Sequence, residues 1–220
     1  MCIRDRLIGA LINEEEIRSV ILNARNNQDG FHCVIDLTHP FATKITPKIA
    51  RVCKELGQPF IRYERPIDDI LNAFLLKKFS DLVSFDLRNK SILLALGVRH
   101  LQRSITFASD LGANVYTRVL ANPESIKKTL STSISKTNFA ILNPLASSDG
   151  EIEKALIRRW NIDGVVCRQS GGRTEKLWQR VCLRMGIDLW LLQRPSQLQE
   201  GDLIDSYEKL INRLQSISME

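Results

Sequence analysis

The sequence is poor in several kinds of residue, and each shortage excludes a class of protein. Its five cysteines are odd in number and form no C-x-x-C pair, which argues against a disulfide framework. Three histidines without metal-ligand spacing give no reason to expect a metal site. The apolar run Leu7–Ile12 is too short for a signal peptide, and no run approaches the roughly 20 residues of a membrane span. We therefore expect a cytoplasmic protein with reduced cysteines and no membrane segment.

What is present is an ordinary globular balance in 220 residues, of which 44% are hydrophobic and 25% charged. This length allows one large or two small domains. The 31 lysines and arginines outnumber the 25 acidic residues and give a net charge of +6. The charge favours an anionic partner, although a merely basic surface explains it equally well. Aromatic and basic residues are not interleaved, so nucleic acid is not expected as a partner. A monomer is favoured.

Strands and helices alternate along the chain, which predicts an α/β fold with parallel sheets. Two predicted domains cover residues 7–86 and 90–197, and a C-terminal amphipathic helix covers residues 198–220. The first domain is expected to hold helices at 14–25, 42–56 and 67–79 and strands at 33–36 and 60–63. The second is expected to hold strands at 92–96, 114–119, 139–142, 164–168 and 188–192.

A short internal repeat links the two predicted domains. Arg51–Gly57 resembles Arg180–Gly186, and each is followed at the same distance by an Arg-Pro pair. A spacing shared across helix, turn and strand indicates two similar α/β units. Projected back from the first strand of the second domain, that spacing falls before Met1. We therefore expect the first domain to lack its opening strand and helix, and Met1–Arg6 to lie outside the native chain.

The segment Asp36–Phe41 is the first candidate site, because it follows an apolar strand. Ligands of open α/β sheets gather at the carboxyl ends of strands, beside the first turns of helices. Pro40 suits a first helical position and would make His39 the capping residue. His39 can also donate a proton near neutral pH, and Asp36 and Thr38 share its strand end. A structural interpretation, with Thr38 as a cap and His39 on the surface, stays open.

Two glycine-bearing strand ends in the second domain are further candidates. Gly97 lets the backbone turn tightly and approach a phosphate, with Arg99 as a charged clamp, although a plain turn fits equally well. Ser170–Gly172 precedes a predicted helix whose first turn holds Lys176. A cation is disfavoured at this positive end of the helix dipole, so a bound phosphate or carboxylate would relieve the conflict. An Asn-Pro pair at Asn143 ends another strand, where a cap explains it better than a ligand does.

These motifs, in this order, resemble the precorrin-6A reductase family. The resemblance covers roughly Leu7 to Pro195 and rests on Asp-Leu-Thr-His-Pro-Phe-Ala from Asp36, Arg-Tyr-Glu-Arg-Pro from Arg62, Leu-Gly at 96–97, Asn-Pro-Leu at 143–145, Ser-Gly-Gly at 170–172 with Lys176, and Arg-Pro at 194–195. It implies a reductase of cobalamin biosynthesis with two Rossmann-like domains and a cleft between them. In such an enzyme NADPH, or NADH, gives a hydride to a ring-contracted tetrapyrrole, precorrin-6A or its cobalt form.

The resemblance also implies roles for individual residues. Cofactor contacts are expected at Gly97, Arg99, Ser170, Gly171, Gly172 and Lys176. Contacts with the anionic substrate are expected at Asp36, Thr38, His39, Arg65, Arg168 and Arg194. The acetate and propionate groups of the tetrapyrrole would give the positive charge a use. The reduction also needs a proton, for which His39 is one candidate donor and water an equal one.

The sequence departs from the family pattern at three places. The opening Gly-Gly-Thr-x-Glu-Ala turn, expected to help hold the dinucleotide, is absent; the usual Gly-Pro-Phe is Asn143-Pro144-Leu145, and the usual Lys-Asn is Arg168-Gln169. We therefore expect an incomplete chain with an impaired cofactor site. A non-catalytic nucleotide- or anion-binding fragment is the alternative hypothesis. An RNA-binding α/β domain is a third, resting only on the basic isoelectric point.

Overall fold

The structure, a computed structural model, describes residues 13–27, 30–67, 69–70, 72–143, 149–195 and 202–217. They form two units. The first unit holds the residues up to Pro66 together with those from Pro195 onward, and the second unit holds Ile67–Arg194. Met1–Arg6 falls outside the described residues, so the predictions about the start of the chain stay predictions.

Strands and helices alternate along most of the described chain. In order they are α1 (Glu14–Asn26), β1 (Val34–Asp36), α2 (Ile45–Glu55), β2 (Phe60–Tyr63), β3 (Phe74–Leu76), a 3-10 helix (Phe79–Ser84), β4 (Ser91–Ala95), α3 (Leu101–Asp110), β5 (Asn114–Val119), α4 (Pro123–Leu130), β6 (Phe139–Ile141), α5 (Glu151–Trp160), β7 (Gly164–Arg168), α6 (Arg173–Met185), β8 (Asp188–Leu192), β9 (Asp202–Ile204) and α7 (Tyr207–Ile217).

The first unit contains a three-stranded parallel sheet in the order β1, β2, β9. Alternate residues of a strand point to opposite faces of the sheet. Val34 packs with Ile17 of α1 and Val52 of α2, whereas Ile61 packs on the other face with Leu210 of α7. Within the range 198–220 predicted as a C-terminal helix, Asp202–Ile204 instead form β9; the amphipathic helix begins at Tyr207 and covers a sheet of its own unit.

The second unit contains a six-stranded parallel sheet in the order β3, β8, β7, β4, β5, β6. From β4 in the middle the chain runs through β5 to β6, then returns to β7 on the other side of β4 and continues to β8. This reversal makes a topological switch point between β4 and β7. In open α/β sheets the ligand crevice lies outside the carboxyl ends of the strands at such a point. The predicted fold class, two Rossmann-like parallel-sheet units, is confirmed.

Both faces of the six-stranded sheet are buried. The 3-10 helix and α3 cover one face, with Leu82 and Ile105 in the core. Helices α5 and α6 cover the other, with Ile157 and Trp178 in the core. A strand buried on both faces requires apolar residues at consecutive positions, which explains the run Ile92–Leu94 in β4.

Residues 67–79 were predicted to form a helix, and that prediction is wrong. They contain β3, which pairs with β8, and Phe74 stacks on Trp190 with ring centroids 6.2 Å apart. Tertiary pairing overrides the helical spacing of apolar residues here. The boundary expected at residues 86–90 also differs from the structure. Leu82 and Leu87 are fully buried in the second unit, which the chain enters at Ile67.

Helix α2 begins at Ile45, later than the start predicted near Ala42. Two turns precede it, closed by hydrogen bonds from Ala42 N to the carbonyl of His39 (2.7 Å) and from Ile45 N to the carbonyl of Ala42 (3.3 Å). Pro40 is therefore not the first helical residue and His39 is not the cap, so both predictions are wrong. Pro47, in the first turn of α2, was the overlooked signal, because a missing N–H there removes no helical bond.

Candidate functional site

The strand order of the second unit brings several predicted site residues to one edge of its sheet. β4 and β7 are neighbours, with Ala95 paired to Cys167. Gly97 follows β4, Arg168 ends β7 and Ser170 follows it. These residues therefore lie at the switch point, where a doubly wound sheet holds its ligand.

Gly97 has the backbone conformation that the sequence predicts for a tight turn. Its φ is +75°, and no atom lies within 4 Å of the position that a Cβ would take. The backbone is therefore open to a ligand group on this side, and only glycine adopts this conformation without strain. Arg99 is exposed two residues later, just before α3 begins.

A cavity of about 400 Å³ opens beside Gly97. The 3-10 helix, α3 and the ends of β4, β7 and β8 line it, and its lining includes Lys78, Phe79, Arg103, Phe107 and Arg168. Phe79 and Phe107 meet edge to face, with ring centroids 5.7 Å apart. An aromatic wall with cations around it suits a planar ring that adjoins anionic groups.

Two positive charges influence each other at the switch point. Burial lowers the pKa of the Arg168 guanidinium, and the nearby charge of Arg99 lowers it further. Arg99 also acts on Glu124 in the first turn of α4; the pKa of Glu124 is lowered mainly by a hydrogen bond from Lys128 and less by Arg99. The charge of Arg99 therefore reaches both the end of β7 and the helix that follows β5. A bound anion favours the charged form of Arg168.

The turn between β7 and α6 binds a carboxylate of the protein's own, the side chain of Glu175. Oε2 of Glu175 accepts hydrogen bonds from the backbone N–H groups of Ser170 (2.5 Å) and Gly171 (2.7 Å). Its Oε1 accepts a hydrogen bond from Nε2 of Gln179 at 3.1 Å. Glu175 is 2% exposed. Two backbone donors of the Ser-Gly-Gly turn, expected to contact the cofactor, are thus engaged by this carboxylate.

Hydrogen bonds of the remaining groups around this turn connect the ends of β7 and β8. The N–H of Gly172 donates to Oγ of Ser170 at 3.3 Å. Gln169 donates its N–H to a carbonyl at the end of β8, and its Oε1 accepts from the N–H of Arg194 at 3.3 Å. Lys176 is exposed in the first turn of α6. The carboxyl ends of β7 and β8 are therefore held as one edge.

In the first unit, Asp36 is the centre of a buried polar network. Its Oδ1 accepts a hydrogen bond from the N–H of Thr38 (2.9 Å) and lies 2.9 Å from Nη1 of Arg62, while its Oδ2 accepts from Oγ1 of Thr46 (2.6 Å). Arg62 also pairs with Glu64 at 2.9 Å and donates to Oγ1 of Thr38 at 2.9 Å. Both carboxylate oxygens of Asp36 are engaged inside the unit, which favours the structural interpretation of Asp36 and Thr38.

His39 is exposed at the same strand end. Its Nδ1 accepts a hydrogen bond from the N–H of Phe41 at 3.2 Å. Because an accepting ring nitrogen carries no proton, the neutral ring holds its proton on Nε2. Arg65 is exposed after β2, the neighbour of β1, so His39 and Arg65 share the carboxyl edge of one parallel sheet. Asn143 has a structural role, since its Oδ1 accepts a hydrogen bond from the N–H of Ala121 and joins the ends of β6 and β5.

Sequence reasoning missed several residues of these two sites. A charge inside an otherwise apolar strand was an available signal for Arg62, whereas a glutamate just inside a helix start is common and did not single out Glu175. Phe79, Arg103 and Phe107 gave no local signal, because the 3-10 helix and α3 bring them together only in the folded unit.

The searches for a metal site and for a membrane-spanning helix apply only to the residues that the structure describes. Among them, no group of three or more His, Cys, Asp or Glu side chains is placed to hold a metal ion. No helix within those ranges is long and apolar enough to cross a membrane.

A doubly wound parallel sheet with an open glycine turn, clustered cations and an aromatic cavity at its switch point defines a Rossmann-like α/β protein. Comparison with known proteins then gives the family. The chain belongs to the precorrin-6x reductase CbiJ/CobK family, whose family model matches residues 7–215. The resemblance stated from the motifs is thereby confirmed. The family consists of oxidoreductases that act on a corrin precursor in cobalamin biosynthesis, which implies a nicotinamide cofactor in general terms.

Individual relatives agree with this membership. The chain is 28% identical to the cobalt-precorrin-6A reductase of Synechocystis sp. over 80% of its own length and 68% of that protein. It is 27% identical to the precorrin-6A reductase of Mycobacterium tuberculosis over 76% of its length and 65% of that protein. A solved structure of CobK precorrin-6A reductase superposes with a TM-score of 0.72, covering 95% of this chain and 81% of that one. At 18% identity this last likeness shows the fold alone.

Proposed function

We propose that this chain reduces precorrin-6A or cobalt-precorrin-6A with a hydride from a nicotinamide dinucleotide held at the switch point of the second unit. One observation carries the proposal: the open turn at Gly97 and the aromatic, cation-rimmed cavity beside it share the carboxyl edge of β4 and β7. Relatives named as precorrin-6A and cobalt-precorrin-6A reductases support the substrate class. When bound, the cofactor supplies the hydride; the protein supplies binding and orientation.

The strand order supports a placement of the two halves of the cofactor on two halves of the sheet. In doubly wound folds the pyrophosphate lies at the glycine turn and first helix, and the two nucleoside halves lie to either side of the switch point. Gly97 is that turn here, and α3 is that helix. The cavity lies toward β7 and β8, so its Phe79 and Phe107 wall would take the nicotinamide ring and keep water from it. The adenosine half would lie toward β5.

NADPH is the preferred form of the cofactor in this proposal. NAD-specific sheets place a carboxylate at the end of the second strand to accept the ribose hydroxyl, whereas NADP-specific ones place an arginine near it. The residues directly after β5 are Leu120 and Ala121, and neither is acidic. Arg99 influences Glu124 in the helix that follows β5. Arg99 therefore supplies the charge for a 2′-phosphate.

The substrate is a polycarboxylate, and the arginines near the strand ends would hold its acetate and propionate groups. Arginine pairs with carboxylates through two parallel hydrogen bonds. Arg168 and Arg194 stand at the joined ends of β7 and β8 in the second unit, and Arg65 follows β2 in the first unit. His39 would deliver the proton through its Nε2–H.

An equilibrium titration with NADPH and NADH tests the cofactor site directly. The chain is expected to bind NADPH saturably, and replacing the cavity arginine by Arg103→Gln is expected to weaken binding several-fold. Arg159→Gln, an exposed arginine on α5, is the matched control and is expected to bind like the parent. An anaerobic assay with precorrin-6A then follows the oxidation of NADPH. No nucleotide binding by the parent chain would overturn the proposal.

A further inference from the structure

We infer that Glu175 is a positioning residue for the proposed site: its buried carboxylate fixes the turn between β7 and α6 and so places the cavity wall that carries Arg168. The expected effect on ligand binding rests on the proposed function, whereas the hydrogen bonds of Glu175 do not depend on it. The two short bonds from Ser170 and Gly171 to one oxygen of Glu175 are its basis.

The carboxylate occupies the place that an external anion would take in a phosphate-binding turn. Consecutive backbone N–H groups in a turn converge on one point and bind anions there. Here that point is filled by Oε2 of Glu175, which reaches back past Gly172, the residue before the first turn of α6. A negative charge at this end of α6 also matches the helix dipole. The amides of Ser170 and Gly171 are therefore structural donors, and the phosphates of the ligand are left to Gly97 and the cations.

A buried carboxylate is expensive to desolvate unless its oxygens are hydrogen-bonded. Glu175 meets this condition, because Oε2 accepts two amide bonds and Oε1 accepts the bond from Gln179. Gly171 in this turn has φ of +63°, one of several conformations that are open to glycine without strain. Fixing this conformation is the physical effect of the charge.

The fixed turn is continuous with two proposed contacts. Arg168, which lines the cavity, precedes the turn by two residues. Gln169 lies between them and accepts the N–H of Arg194. A turn that loosens would therefore misplace groups that contact the ligand, and the effect would appear in binding before it appears in the chemical step.

Hydrogen exchange in the ligand-free protein tests the positioning independently of catalysis. The amides of residues 170 and 171 are expected to be protected in the parent and to exchange about tenfold faster or more in Glu175→Gln, because a neutral acceptor holds them less strongly. Glu151→Gln, in the first turn of α5 and exposed, is the matched control and leaves them unchanged. Unprotected amides in the parent overturn the inference without any variant.

Binding and kinetic measurements test whether the fixed turn affects binding of the cofactor. Glu175→Gln is expected to raise KM for NADPH about tenfold, with a smaller change in kcat. The exchanged pair Glu175→Gln with Gln179→Glu restores the hydrogen bond between the two positions but leaves the two amides with a neutral acceptor, so it is expected to keep the raised KM. A purely structural role would lower the Tm and leave KM unchanged, and that result contradicts the inference.

Loss of amide protection when NADPH binds would also contradict the inference, since phosphate would then displace the carboxylate from the two amides. Failure of the parent to bind NADPH defeats the proposed function, while the ligand-free exchange still decides the role of Glu175.

Discussion

Nη1 of Arg62 lies 2.9 Å from Oδ1 of Asp36, and the two side chains are 5% and 0% exposed. A buried ion pair is stable only when further hydrogen bonds satisfy its remaining groups. Glu64, Thr38 and Thr46 supply most of those bonds, and Nε of Arg62 is the group that finds no hydrogen-bond partner among the described residues. Asp36 and Thr38 are therefore held by contacts within their own unit, and the exposed His39 follows them at the same strand end.

Replacing Asp36 with asparagine is expected to destabilise the first unit by about 1.5–3 kcal/mol, because its charge-assisted bond with Arg62 is weakened while Glu64 keeps the guanidinium paired. Hydrogen exchange of the β1 and β2 amides under native conditions measures the free energy of opening. The control is Arg51→Gln, which breaks an exposed pair with Glu14 in the same unit and is expected to cost less than about 1 kcal/mol. Equal effects of the two substitutions would show that burial does not strengthen the Asp36 network.

Alanine at Gly97 is expected to weaken cofactor binding as well as stability. A φ of +75° strains any residue with a Cβ by about 1–2 kcal/mol. Gly57 is a matched control, because it also has positive φ (+58°) and open space at its Cβ position, but it ends α2 in the first unit. Both variants are expected to lose similar stability in chemical denaturation. A titration with NADPH is expected to separate them, with only Gly97→Ala losing affinity.

Much of the fold could be predicted from sequence, because buried parallel strands require apolar runs that are visible in the chain. The bounds of β2, β5, β7 and β8 were predicted to the residue. β3 was not, because its pairing with β8 and the contact of Phe74 with Trp190 are tertiary and leave only a weak local pattern. The same holds for the site. Gly97 was predicted from a local rule, whereas the cavity wall of Phe79 and Phe107 arises where separate helices meet.

The anion site at Ser170–Gly172 could be predicted from the sequence only in part. The Ser-Gly-Gly turn with Lys176 in the first turn of α6 predicted a bound phosphate or carboxylate. It did not say which anion. The acceptor of the Ser170 and Gly171 amides is Glu175, a residue of the same helix, whereas the sequence-based prediction rested on the neighbouring cation Lys176. A glutamate three residues into a helix is common, so only the distances identify its role.

Removing the imidazole of His39 is expected to lower kcat about 100-fold or more, since general acid catalysis by a positioned group contributes about 10²–10⁴. His39→Gln is the variant, and anaerobic turnover of precorrin-6A with NADPH is the assay. His32→Gln removes another exposed histidine of the first unit and is expected to leave kcat unchanged. If His39→Gln keeps the parent kcat, the proton comes from water.

Cys182 is expected to make the second unit less stable in alkali. Burial, with a smaller contribution from Asp188, raises the pKa of this thiol from 9.0 to about 12. The folded state thus keeps the proton to higher pH than the unfolded chain does. The stabilisation is complete below pH 9 and is lost as pH rises toward 12, with a slope of at most about 1.4 kcal/mol per pH unit.

Urea unfolding at pH 8 to 11 measures this contribution of Cys182. The difference in free energy of unfolding between the parent and Cys182→Ala is expected to shrink as pH rises. Leu189→Ala removes a non-titrating side chain from the same core cluster, so its difference from the parent is expected to stay constant. A constant difference for Cys182→Ala as well would mean that the thiol titrates alike in both states.

Arg99 is expected to set the preference for NADPH. Hydrogen bonds to charged groups are worth about 1.5–3 kcal/mol, so Arg99→Gln is expected to weaken NADPH binding by about 10- to 100-fold. NADH has no 2′-phosphate, and its affinity is expected to change by less than about threefold, which nearly equalises the two cofactors. Rising salt is expected to weaken NADPH binding to the parent more than to the variant, because the lost contact is an ion pair. Parallel titrations with both nucleotides give the ratio directly, and Arg159→Gln serves again as the surface control. A variant that loses affinity for NADPH and NADH in equal measure would place Arg99 at the shared pyrophosphate, and the specificity would then have to come from another residue.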